Sequence, residues 1–361
     1  MACRLNRSRR APFTGSHIRL QSRNSWFDSS SSHVVQTLMP EAKQPVLAIS
    51  RTVPFRQFQA RLGSATYRLN TIFVGLEHVA VGAGKPPHGA AISWTKPADA
   101  NKAKQAADQA RIFACTAAMA FAVDVADQYI SGIVQVSWLD FPVSVKEIAT
   151  KAKTRSANDG GAYSLAERAQ AICDHLCLSH PLLLGLLDLL AKWRNITIHS
   201  GERHVSISSD TRSAILGGAA TMNEKYSHFD VVLALKNFEQ KKLPVAKEIT
   251  SLIAACQNFF RQIDEAAIKK AAGTSTGLRY TLNSMMRDYF FAGDKRKDLI
   301  ASRMAEFMQG DSERRRYYLL RSIAPLGMSR TTSPISAVLG DNDVDEILGM
   351  STDQLTTKLA Q

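Results

Sequence analysis

"ADANKAKQAADQARIFACTAAMAFAVDVADQYI", residues 98–130, follows Pro97 and runs on without glycine or proline until Gly132. Alanine is the strongest helix former, and glycine and proline are what stop a helix, so the stretch predicts one long helix from about Ala98 to Ser131. Its apolar positions Ile112, Cys115, Met119, Val123 and Ala126 recur at steps of three and four, the spacing of a face that packs on other helices. A helix this long and apolar on one side organises a bundle.

Reading outward, a Gly-rich loop, "SANDGGAYS" (156–164), precedes a second helix from Leu165 to Leu178, and Pro181 begins a third that reaches Ser200. Asn223 to Gln240 and Val245 to Lys270 are amphipathic, with "KKLP" (241–244) as the break. Leu278 to Leu326 looks helical and holds ten basic residues against six acids; Ser329 to Gln361 forms a short tail with one terminal helix. Upstream of the long helix the pattern is mixed. "VLAIS" (46–50) and "ISW" (92–94) look like short strands, while "ATYRLNTIFVGLEHVAVG" (65–82) fits a helix or two strands. "GAGKPP" (82–87) fails as a phosphate-binding loop: Val79 stands where the first glycine belongs and Pro86 where the hydroxyl belongs. Five regions follow: 1–38 as a tail, 39–96 as a small mixed region, 97–272 as the helical domain, 273–330 as a basic helical extension, and 331–361 as a C-terminal tail.

The net charge of +13 over 361 residues is unevenly spread. Residues 1–38 carry six arginines against Asp28, a share of +5, and their Arg/Ser composition without apolar period predicts disorder. Such a tail fits an organelle transit peptide or an upstream start ahead of Met39, and neither gives it a part in chemistry. The remaining +8 permits an anionic partner such as nucleic acid. Five cysteines without a disulfide-framework spacing point to a reducing compartment. The longest apolar run, Ile112 to Val123, ends at Asp124 and is too short to span a bilayer, so the chain reads as a cytoplasmic protein without a membrane partner.

The chemistry lies in "LLDLLAKWRNITIHSGERH", residues 186–204. Leu183, Leu187 and Leu190 share a stripe of the third helix, and at about 100° per residue Arg194 continues it. An arginine on an apolar face needs a partner, so Arg194 faces an interface or an anion. His199 sits about 140° away on an ideal helix; the two converge if the last turn loosens before Gly201 or if a second copy supplies the complementary group. Arginine and histidine together suit phosphodiester chemistry on RNA. A histidine titrating near neutrality exchanges a proton with the ribose 2′-hydroxyl or the leaving oxygen. The arginine fork holds the phosphate and stabilises charge that builds during attack.

Spacing alone is not specific: an arginine and a histidine with four to six residues between them occur at Arg10/His17, Arg168/His175 and Arg194/His199. The third differs in context, with polar Asn195 beside the arginine, an apolar helix before it and a glycine after the histidine. These residues resemble the HEPN superfamily (higher eukaryotes and prokaryotes nucleotide-binding), whose RNase members carry such a motif; the resemblance covers roughly residues 97–270.

The resemblance implies a mainly α, HEPN-like bundle that dimerises so that paired motifs form one cleft, and metal-independent cleavage leaving a 2′,3′-cyclic phosphate. Carried onto this chain, it makes Arg194 the phosphate binder, His199 the acid/base and Asn195 the neighbour that orients them. It adds a polar or acidic residue on the first helix, for which Asp124 and Asp127, one turn apart, are the candidates; either alternatively serves as a solvated surface charge. It also implies a toxin or phage-defence setting, with an antitoxin or regulatory protein as partner beside RNA, and no metal or other cofactor. The nucleotidyltransferase motif of some family partners is absent from the sequence. The alternative reading is a catalytically inactive HEPN-like module that binds RNA, nucleotide or a protein.

Two further patterns compete with plain structural readings. Cys173, Cys177 and His180 fall on one face of a continuous helix, as metal ligands do, yet Ile172, Leu176 and Leu178 around them favour buried thiols. "SERRRYYLLR" (312–321) offers Arg314, Arg315 and Arg316 with two tyrosines as an RNA surface, against a helix whose charged side is solvated while Tyr318 and Leu319 pack inward.

Overall fold

The computed structural model describes residues 45–82, 95–150, 163–198, 205–226, 228–291 and 297–360. Among these are fourteen α-helices and one two-stranded sheet, so the chain is mainly α. Residues 1–38, "ISW", most of the 82–87 and 156–164 loops, His199 and Gly201, on which the sequence carries expectations, lie outside the described residues.

Strand β1 (Val46–Ile49) leads into α1 (Val53–Ala80), whose start is set by Thr52: its hydroxyl accepts from the Phe55 amide at 3.3 Å. Residues 65–80 therefore belong to one helix, not two strands, and 81–82 turn out of it. Helix α2 (Ala100–Ile133) begins where Asp99 accepts from the Lys102 amide at 2.8 Å. The two pack side by side as a long hairpin. Among the described residues α2 alone has the length and apolarity of a membrane-crossing helix, because alanine extends the apolar run well beyond Ile112–Val123. Here it packs along α1, α5 and α9.

After a 3-10 turn (Ser137–Leu139) come α3 (Val143–Ala149), α4 (Leu165–His175) and α5 (Pro181–Ile198). A reciprocal cap, the Ser164 hydroxyl on the Glu167 amide and the Glu167 carboxylate on the Ser164 amide, fixes the start of α4. Its end falls short of Leu178. Cys177 turns left-handed (φ 55°), and the amides of Cys177 and Leu178 bond back to Asp174 and Cys173, a Schellman stop built without glycine.

Helix α5 runs through the core. Leu186, Leu187, Leu189, Leu190 and Trp193 are fully buried against α2, α4, α6 (Ser209–Gly217) and α9 (Ala246–Ala272). The leucine stripe that Arg194 continues is thus covered by the chain itself. Asn223–Gln240 is not one helix: α7 (Ala219–Lys225) and α8 (Val231–Glu239) part where His228 turns left-handed (φ 59°). Tyr129 of α2 meets Phe58 of α1 and Phe260 of α9, ring centroids 5.5 and 4.8 Å away, tying the three helices together.

The chain then forms α10 (Ser275–Phe291), α11 (Lys297–Met308), α12 (Ser312–Ile323), strand β2 (Met328–Thr331), α13 (Asp341–Leu348) and α14 (Thr352–Ala360). Strand β2 pairs antiparallel with β1, Val46 opposite Thr331 and Ile49 opposite Met328, so the expected C-terminal tail closes back on the first strand and carries two helices. One apolar cluster extends from Ile49 to Leu359. Described residues from Ile49 onward in all of the last four regions contribute to this core, and Gln44–Gln361 is one compact unit.

Candidate functional site

Helices α2, α4 and α5 leave a cavity of about 580 Å³ between them. Asp124 and Asp127, one turn apart on α2, line it together with Lys192, Arg194 and Asn195 near the end of α5. Four of the five proposed catalytic residues are therefore brought to one space; the fifth, His199, lies outside the described residues. The apolar stripe ends as the helix leaves the core: Leu190 and Trp193 are fully buried, whereas Arg194 is half-buried at the cavity. Its Nη1 donates to Asn195 Oδ1 at 3.1 Å, so the neighbouring amide restrains the guanidinium.

The two aspartates are not equivalent. Asp124 is exposed; it accepts from Gln128 Nε2 at 2.9 Å and has the Arg61 guanidinium 3.8 Å away. Asp127 pairs with Arg168, which is fully buried. The Arg168 guanidinium also donates through Nε to the Ala149 carbonyl and through Nη2 to the Ser131 hydroxyl, both at 2.8 Å. Arg168, read from the sequence as an ordinary mid-helix residue, joins α2, α3 and α4 at the back of the cavity.

Sequence reasoning also missed Lys192 and Asp188. Lys192 lies on the cavity wall with its ammonium 2.7 Å from the largely buried Asp188 carboxylate, one turn back on α5. An Asp and a Lys four positions apart, just before the arginine, are the signal that was present in the sequence. Arg194 and Lys192 give the wall two cations and Asp124 gives it an exposed carboxylate, a set able to grip a phosphate and exchange a proton beside it.

The remaining candidates lie elsewhere. His175 lies tilted against Phe141, centroids 5.2 Å apart, and its Nε2 is 3.1 Å from Lys270 Nζ; burial, then Lys270, lowers its pKa. Cys173 is buried, its thiol pushed up to about 12 chiefly by desolvation, while Cys177 points into solvent past the helix end. The helix stop at Cys177 is what breaks the expected shared face with His180, and among the described residues no three His, Cys, Asp or Glu side chains group as metal ligands do. On α12, Arg314 is exposed. Arg315 lies over the Phe307 ring at 5.3 Å and donates to the Met350 carbonyl, and Arg316 pairs with Asp341 and Asp345 of α13. Two of the three expected RNA-binding arginines thus serve intramolecular contacts.

No family model, no curated protein and no solved structure matches this chain.

Proposed function

We propose that this chain is a metal-independent endoribonuclease of HEPN type. The observation that carries the reading is the single cavity to which α2 contributes Asp124 and Asp127 and α5 contributes Arg194 and Asn195, residues that the sequence singled out from separate segments. In this reading Arg194, steadied by Asn195 and assisted by Lys192, holds the scissile phosphate and offsets the charge that develops on it. His199, five positions further along, moves the proton of the ribose 2′-hydroxyl or of the leaving oxygen. Asp124, the exposed carboxylate, orients that exchange. Asp127 serves chiefly to hold Arg168.

A second copy is not needed to cover Leu183, Leu187 and Leu190. Dimerisation in this proposal joins the C-terminal ends of two α5 helices and unites two cavities into one cleft. A regulatory or antitoxin protein would restrain the activity by covering the same mouth.

The commitment of Asp127 to Arg168 favours a second reading, a catalytically silent HEPN-like module that binds RNA, nucleotide or a protein. Incubating purified protein with single-stranded RNA in excess chelator separates the two. Cleavage of RNA but not DNA, reduced about 10²–10⁴-fold by His199→Ala, is expected, with a comparable loss for Arg194→Ala. RNA binding without cleavage selects the silent module, and cleavage that survives both substitutions removes the assignment.

A further inference from the structure

A second cavity, of about 730 Å³, lies between α4, α5 and α6, and Ser164, Asp188 and Lys192 line both this space and the Arg194 cavity. The two therefore abut, divided by the Asp188–Lys192 pair. Their linings differ in kind. The second has an apolar floor that includes Leu184, Gly185 and Ala214, and α6 packs so close to Gly185 that a Cβ there would stand 3.0 Å from Ile215. Around that floor stand hydrogen-bonding groups, among them the carboxylates of Glu167, Asp174 and Asp210. A carboxylate can accept about four hydrogen bonds in all; Asp174 accepts from Gln170 and Asp210 from the Ser209 hydroxyl.

We infer that this second cavity is a nucleobase subsite, which takes the base next to the phosphate held at Arg194 and favours bases bearing an exocyclic amino group. The inference rests on the proposal that the first cavity receives an RNA phosphate. Its chemistry follows from the lining. A phosphate is repelled by the acidic rim, whereas a flat neutral ring is accommodated on an apolar floor. Carboxylates accept hydrogen bonds from the amino groups of cytosine and adenine, and uracil has an acceptor oxygen at the corresponding place. Lys192, at the boundary, faces the link between base and phosphate.

The test uses the full chain in chelator with fluorescent single-stranded 2′-O-methyl oligonucleotides of cytidine, adenosine or uridine, which cannot be cut through the blocked hydroxyl. Binding by anisotropy is expected to be roughly tenfold or more tighter for cytidine and adenosine than for uridine. Asp210→Asn and Asp174→Asn, each made singly and checked for unchanged helicity, are expected to shrink that ratio without weakening uridine binding. Retention of the ratio alongside failure to cleave natural RNA keeps the subsite and removes only the catalytic reading. Equal affinity for all three, no binding of any, or a ratio that neither substitution alters overturns the subsite, even in a protein that cleaves RNA.

Discussion

The guanidinium of Arg168 and the carboxylate of Asp127, 41 positions apart in sequence, form an ion pair at the back of the candidate site, with the arginine fully buried and the aspartate reaching the cavity. A buried cation stripped of its partner is far more costly than a surface charge stripped of its own. Asp127→Ala should therefore lower the unfolding free energy by about 3–5 kcal/mol, and Asp124→Ala by less than about 1 kcal/mol. Urea denaturation of the two variants checks this, and equal losses would contradict the structural role given to Asp127.

A pH dependence is expected at the junction of β1 and α1. Asp264 of α9 accepts from the Thr52 amide at 3.1 Å and from the Thr52 hydroxyl. Burial pushes its carboxyl from 3.8 up to about 6, although the Thr52 hydrogen bonds and Arg51 pull the other way. Between the unfolded value and about 6 the folded chain holds more protons, so the contribution of Asp264 to stability falls as pH rises through that window and then levels off. The stability of wild type relative to Asp264→Asn should decline by on the order of 1–3 kcal/mol from pH 4 to pH 7. A difference independent of pH would show that Asp264 does not titrate there.

Thiol labelling should separate the described cysteines. Cys115, Cys173 and Cys256 are buried, their pKa values raised to about 11, 12 and 12 mainly by desolvation, whereas Cys177 is exposed. Iodoacetamide at pH 8 should modify Cys177 in the native protein and the other three only after denaturation, as read by peptide mass spectrometry. Prompt native labelling of Cys173 would mean that the end of α4 opens.

Substitutions on α12 should act on stability. Arg315→Ala loses the contact over Phe307 and should cost about 1–2 kcal/mol, while Arg316→Ala frees α13 from its pairs with Asp341 and Asp345. Neither should change RNA affinity measured by anisotropy. A loss of affinity with full stability would restore this helix as an RNA surface.

What the sequence made legible follows from where the forces are local. The starts of α2 and α5 were readable because Pro97 and Pro181 act on their own next turn. Arg194 was readable from the apolar stripe it continues, whereas Asn195, Asp124 and Asp127 entered as candidates only through the HEPN resemblance. The rest depends on distant partners. Nothing near Arg168 announces that Asp127 and Ala149 will enclose it, and nothing near Met328 announces that it will lie opposite Ile49. Cys177 and His228 adopt left-handed conformations without glycine, so two helix ends carried no local mark. Helix α1 contains Gly63 and Gly75, whose low helix propensity weakened the helical reading, and its packing along α2 outweighs them.

The central claim, that the Arg194 cavity carries RNA cleavage through the ribose 2′-hydroxyl, is tested most directly by the ends of the product. Wild-type protein and Arg194→Ala are incubated with a single-stranded RNA oligonucleotide in excess chelator, and the 5′ fragments are weighed by mass spectrometry. The account predicts fragments ending in a 2′,3′-cyclic phosphate from wild type and, by comparison, almost none from Arg194→Ala. Fragments ending in a 3′-hydroxyl, or an equal yield of the cyclic product from both proteins, would contradict it.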